Sequence, residues 1–300
     1  MNTITRTMLF TLLALVCTAG AAGAEPWKLD LSTNLTTALN SYSDNWVGGE
    51  AGSFTWAAQF LGVAERQMTE KTSTKTTLKL QFGQTVQQDK KTNDWSVPQK
   101  STDLIDGEEL FRLTLGAWVD PFVSARGISE FLDKSDTLLV RYFNPLELTE
   151  AIGVSRTLEK NDAVEWSSRL GLADRQLVDR HKLDTATSVR KNDFTNDGGL
   201  ELDMDLKAAN RAKWISYLGS LRLYEALFSS KADKFKGTSQ ANDWRQPHLK
   251  WENTLTLTFA KYLMLNVSAY AYYDKDIASS MRLKETLAAG LTYIYSNSKK

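Results

Sequence analysis

Along residues 27–39 the odd positions are Trp27, Leu29, Leu31, Thr33, Leu35, Thr37 and Leu39, while Lys28, Asp30, Ser32, Asn34 and Thr36 alternate with them. A period of two puts these sets on opposite faces of one strand, one apolar and one polar. The same alternation runs through Leu200, Leu202, Met204 and Leu206, through Leu249, Trp251, Leu255, Leu257 and Phe259, and through Leu287, Ala289, Leu291, Tyr293 and Tyr295. Weaker alternation predicts strands near 53–64, 73–85, 108–119, 122–131, 151–158, 164–175, 213–224 and 262–273, which brings the total to twelve.

Twelve amphipathic strands can pack as a soluble sandwich or close into a barrel whose apolar faces meet lipid. The connections separate the two. Long segments, 40–52, 86–107, 132–150, 176–199, 225–246 and 274–282, alternate with short ones at 65–72, 120–121, 159–163, 209–212 and 260–261. Long loops at one end and tight turns at the other characterise an outer-membrane barrel, whose turns face the periplasm. The expectation is an all-β, transmembrane, antiparallel up-and-down barrel of about twelve strands, both termini on the periplasmic side. The sandwich is the alternative, and would leave the protein in the periplasm without detergent. Residues 137–143, Thr-Leu-Leu-Val-Arg-Tyr-Phe, leave the count open by two.

Aromatic side chains favour the water–lipid interface. Trp27, Trp118, Phe122, Tyr262, Tyr293 and Tyr295 fall near the predicted periplasmic ends, and Trp56, Tyr217 and Trp251 near the other half. At the N-terminus, Arg6, the apolar run Met8–Val16 and Ala22-Gly23-Ala24 form a signal peptide over residues 1–24, so the barrel domain is expected over 25–300. The only cysteine, Cys17, lies in this leader after Val16, which does not suit a lipoprotein site. Removing Arg6 leaves 35 Lys+Arg against 36 Asp+Glu, a balance that offers nothing to nucleic acid. No thiolate metal site or disulfide framework can be built from the remainder.

The last strand, Ala288-Ala289-Gly290-Leu291-Thr292-Tyr293-Ile294-Tyr295, resembles the C-terminal signal by which the barrel-assembly machinery takes up its clients. The chain as a whole resembles an uncharacterised family of Gram-negative exported β-barrel proteins, a domain of unknown function. Asn45-Trp46 with Gly48-Gly49, Lys100-Ser101-Thr102-Asp103, Trp118-Val119-Asp120-Pro121-Phe122, the run from Asn144 to Gly153, and Tyr273-Asp274-Lys275-Asp276 carry this resemblance. It implies an outer-membrane barrel and supplies no activity.

Candidate chemistry sits on the predicted inward faces. Lys75, Lys79, Arg112, Arg126, Arg169 and Arg175 lie on one set of strands, and Glu201, Asp203, Asp205 and Glu252 on another. Such residues can form a packed ion-pair network or line a narrow polar passage that orients a solute. Trp46 in Asn45-Trp46-Val47-Gly48-Gly49 is either an interfacial anchor of a hairpin connection or a ligand contact in the mouth. The two histidines, His181 in a long loop and His248 at the outer rim of the tenth strand, lack a surrounding nucleophile signature, and Asp274-Lys275-Asp276 reads as a solvated turn with the spacing of a weak calcium site. No catalytic residue, cofactor or metal follows. The expected role is a channel or transporter for a small polar solute in the outer membrane. The rival is a closed barrel acting through its long outer loops, and a lipid-modifying enzyme comes third.

Overall fold

A computed structural model of the chain describes residues 25–42, 51–136, 138–184, 187–234, 236–238, 240–260, 262–276 and 278–297. The leader at 1–24 and the loop bearing Trp46 lie outside the described residues. Twelve strands follow one another: β1 (Lys28–Asn40), β2 (Ser53–Gln67), β3 (Thr72–Gln87), β4 (Gln99–Leu113), β5 (Asp120–Ser129), β6 (Leu146–Lys160), β7 (Val164–Asp184), β8 (Val189–Ala209), β9 (Ile215–Ser229), β10 (His248–Phe259), β11 (Leu263–Tyr273) and β12 (Arg282–Ser296). Each pairs antiparallel with its chain neighbours, and β1 also pairs with β12, from Asp30↔Ser296 to Thr37↔Ala289. The sheet therefore closes, and every strand finds backbone partners on both sides, as a membrane span requires.

Burial is inverted relative to a soluble protein. The buried set is largely polar, with Thr36, Asp106, Arg169, Asp203, Asn266 and Thr292 in it, whereas Leu35, Ile152, Leu172, Trp251 and Leu287 stand exposed on the outer wall. Ile152 is 61% exposed and Leu287 70%. A sandwich would have hidden those rows; here they form the belt that lipid covers, so the fold is a transmembrane barrel. Short turns at 68–71, 114–119, 161–163, 210–214 and 260–262 gather at the end that also holds both termini, and the longer connections gather at the other.

Several predicted bounds move. The fourth strand is Gln99–Leu113 rather than 108–119, and the expected tight turn at 120–121 becomes the segment 114–119, in which Gly116 adopts φ +68°. Leu115, Trp118 and Val119 imitate a strand there. Glu109 obscures the real one, because this carboxylate sits on the outer face, held by the hydroxyls of Thr74 and Thr76. The predicted loop 176–199 is mostly strand: β7 and β8 run 21 residues each and pair as far as Asp184↔Val189. Above the membrane both faces of this hairpin are wet, so Asp179–Lys182 and Arg190–Asp193 carry no alternation to read. Phe122 is inside the barrel rather than in the interfacial belt, being opposite inward Arg112. Tyr217 starts β9 and so belongs to the turn end.

β5 is the shortest strand, and its pairing with β4 stops at Ile105↔Ser129. Above it the connection 130–145 fills the gap in the wall. Asp103 accepts from the backbone N–H groups of Phe131 and Leu132 at 2.7 and 2.9 Å, replacing the missing strand partner. Arg141 joins Asp133 and Asp179 at 2.6 and 2.8 Å, and the fully buried Asn144 donates to both carboxylates while accepting from Arg180 N. Of the segment 137–143, Thr137 lies outside the described residues and the rest adds only the bridge Asp133↔Arg141, so the strand count stays at twelve.

Candidate functional site in the lumen

Strand parity aims a belt of charges into the barrel. At mid-height Arg169 on β7 donates to Glu108 on β4 at 2.7 Å and to Asp203 on β8 at 2.9 Å. Arg222 on β9 takes the other side of Asp203 and lies 3.9 Å from Glu201. Arg126 donates through Nε to Asp106 at 2.7 Å. The Phe122 ring supports Arg169 from 5.7 Å. Gly153 and Gly171, which face each other across β6 and β7, leave the room: a Cβ on Gly171 would stand 3.3 Å from Phe122 Cζ.

Other ties span the lumen. Lys79 on β3 reaches Glu252 on β10 at 3.6 Å, and Lys250 holds the same carboxylate at 3.0 Å. Lower down, Lys207 on β8 approaches Asp30 on β1 at 3.9 Å. In each case the two strands lie almost opposite in the ring, so the interior is crossed by ions rather than filled by an apolar core. Single charges there would be costly, and pairing is the condition for their presence.

Thus Arg169, Asp203 and Glu201 from the sequence set are joined through Arg222, while Arg126 pairs with Asp106 and Glu252 with Lys79 and Lys250 in the same charged belt. Arg112 does not join them: near the turn end it bonds, among the described residues, only Thr157, at 3.3 Å. Asp205 faces inward but is exposed and forms no ion pair among the described residues. Sequence reading missed Asp106, which the misplaced start of β4 hid, Glu108, which stands at the first position of the predicted strand, and also Arg222 and Tyr224. The last two had a signal, since they alternate with Leu221 and Leu223.

Above these groups lies the outer mouth of the barrel. Ahead of β10 the short helical turn Asp243–Arg245 buries Trp244, which packs with Tyr224 and Ala226. His248 is inward and buried, with Nδ1 3.1 Å from Arg175 Nη1 and 3.2 Å from Asp274 Oδ2. Burial alone would push the Asp274 carboxyl up. Hydrogen bonds from His248, Tyr272 and the Asp276 backbone outweigh burial and hold it down at about 2. His248, Asp274 and Asp276 can bring ligand atoms within 4.8 Å of one another, but Arg175 and Lys231 already occupy this cluster, with Lys231 Nζ 2.6 Å from Asp276. His181 lies far from it, in the β7 extension at φ +54°.

Between network and mouth lies a cavity of about 60 Å³, bordered by Glu147, Arg175, Glu201, Tyr224, His248 and Lys250 among others. A larger open hollow of about 290 Å³ sits at the turn end around Trp118, over which Arg156 stacks at 4.5 Å.

Closed barrel, outward apolar belt and polar interior define an outer-membrane β-barrel protein. No family model matches the chain, and no curated protein matches it. Among solved structures it is similar to the translocator domain of the autotransporter NalP from Neisseria meningitidis, at 9% identity and TM-score 0.36 over 96% of this chain and 94% of that one. It is also similar to an outer-membrane channel from Pseudomonas putida F1, at 12% identity and TM-score 0.41 over 92% of this chain and 98% of that one. Likenesses this distant concern architecture alone.

Proposed function

We propose that this protein is a gated conduit for a small polar solute across the outer membrane. The observation behind this reading is that the lumen is crossed by ion pairs between strands that are not neighbours, Arg169 of β7 with Glu108 of β4 and Lys79 of β3 with Glu252 of β10. An apolar plug must unpack to open. An ionic one can exchange partners with water or with a charged solute while its strands stay in place. β12, with Gly290, Tyr293 and Tyr295, is read as the segment that the assembly machinery binds.

A second reading, a permanently closed barrel working at the cell surface, draws on the outer connection 130–145. There Leu138, Val140, Tyr142 and Phe143 are exposed on a segment fixed from below by Arg141 and Asn144.

Conductance in a planar bilayer separates the two, once heat-modifiable gel mobility shows that the barrel has folded. The conduit should give discrete current steps, and Arg169→Gln, which unties β4 from β7, should raise the open fraction severalfold. Silence from folded wild type and folded variant alike would leave the surface reading.

A further inference from the structure

At the outer mouth one ring nitrogen faces two partners with opposite demands. Nδ1 of His248, on β10, stands 3.1 Å from Arg175 Nη1 on β7 and 3.2 Å from Asp274 Oδ2 just after β11. Arg175 can only donate, and an ionised Asp274 can only accept. A bare Nδ1 therefore accepts from Arg175 and leaves Asp274, whereas a protonated Nδ1 donates to Asp274 and confronts Arg175 with a second donor. The imidazole is buried and stands edge-on to the Tyr224 ring, centroids 6.0 Å apart, so packing holds it between the two.

The two states tie different strands. Round the ring β7 and β10 are three places apart, so the bond to Arg175 bridges the mouth, while β10 and β11 are neighbours already joined by their ladder. Each partner keeps other support when the imidazole leaves it. Arg175 retains Asp197 on β8 at 2.9 Å and has Glu147 on β6 near enough to act on its charge. Asp274 retains the Tyr272 hydroxyl at 3.1 Å and the Asp276 N–H at 2.9 Å, and Lys231 stays paired with Asp276. Glu201, Arg222 and Lys250 border the same hollow as His248, yet among the described residues none of them bonds the imidazole.

We infer that His248 is an acid-operated latch at the outer mouth: neutral, it joins β10 to β7 through Arg175; protonated, it passes to Asp274 and the mouth loses that crosspiece. Histidine side chains are the ones that ordinarily change charge between about pH 5 and about pH 8, which sets the range to scan. The effect on current rests on the conduit reading, but the exchange of partners is measured without it.

Because the chain has only two histidines, imidazole nitrogen shifts of the folded barrel in detergent follow His248 directly, with His181 in the outer hairpin as reference. At the alkaline end of the range Nδ1 should read as a bare acceptor and Nε2 as protonated. At the acid end both should read as protonated, and the Arg175 side-chain signals should move with the same midpoint. In bilayers the open fraction should rise severalfold on the same descent. His248→Gln, whose amide carries an acceptor for Arg175 and a donor for Asp274 on separate atoms, should keep the low fraction throughout, and His248→Phe the high one, both with heat-modifiable mobility retained. A protonated Nδ1 at the alkaline end, or Arg175 signals indifferent to the His248 titration, would overturn the latch. So would a pH dependence of current that outlives His248→Phe, since it would belong to lumen carboxylates such as Glu201. Partner exchange in a barrel silent at every pH would sink the conduit and keep the exchange; current steps indifferent to pH would keep the conduit and sink the latch.

Discussion

Asn144 shows how one side chain can organise a wall segment. Its amide donates to Asp133 at 2.8 Å and to Asp179 at 2.9 Å, and its oxygen accepts from Arg180 N at 2.8 Å, so connection 130–145 and the β7 extension are joined through a single group. Asn144→Ala would leave the Arg180 N–H and part of two carboxylates unmet, a loss of about 1–3 kcal/mol concentrated in this segment. Since 1.4 kcal/mol is a factor of ten in an equilibrium, chymotrypsin should cut after Tyr142 or Phe143 about tenfold faster or more in the variant. An unchanged cleavage rate would mean that Arg141 alone holds the segment.

The short β5 makes connection 130–145 a wall element whose order depends on carboxylates. Burial would push Asp133 up, but hydrogen bonds from Ser135 and Asn144 and the charge of Arg141 hold it below its ordinary range. A carboxyl depressed in the folded state contributes stability that is fully present above its unfolded value, about 3.9, and disappears as pH falls through the lower folded value. Amide hydrogen exchange in 131–145 should therefore be flat from pH 7 to about 5, after correction for the intrinsic rate, and accelerate below about 4. Acceleration already at pH 6 would point to another group. This element also marks where the sequence stops being legible. Strands such as β1 and β12 were readable because lipid on one side and polar interior on the other enforce a period of two. Where Asp103 and Arg141 do the work of backbone pairing, or where β7 and β8 rise into water, no such contrast exists. The inward positions of Arg126, Arg169 and Asp203 followed from parity, but the reach of Arg169 to Glu108 and of Lys79 to Glu252 depends on which strands face each other across the ring, and that is fixed only by closure.

Closure converts a chain of nearly balanced charge into a molecule with an uneven interior. The central groups Asp106, Glu108, Asp203 and Glu252 are met by Arg126, Arg169, Arg222, Lys79 and Lys250, whereas inward, exposed Asp205 forms no ion pair among the described residues. Paired charges present little field to a passing ion, while unpaired ones inside a low-dielectric wall act at close quarters. Asp205 is exposed whereas the inward Arg112, which bonds only the Thr157 hydroxyl among the described residues, is half-buried, so a conducting barrel should prefer potassium to chloride by a few fold in a salt gradient. Electrolyte screens exposed Asp205 more effectively than groups deeper in the wall, and the preference should accordingly shrink, without vanishing, between about 0.1 and 1 M. Neutralising this residue, Asp205→Asn, should bring the permeability ratio closer to one while leaving the ion-paired belt, and hence the gating, intact. A wild-type barrel that prefers chloride would show that the open state exposes the arginines instead, which requires the Arg169 and Arg222 pairs to part rather than merely exchange.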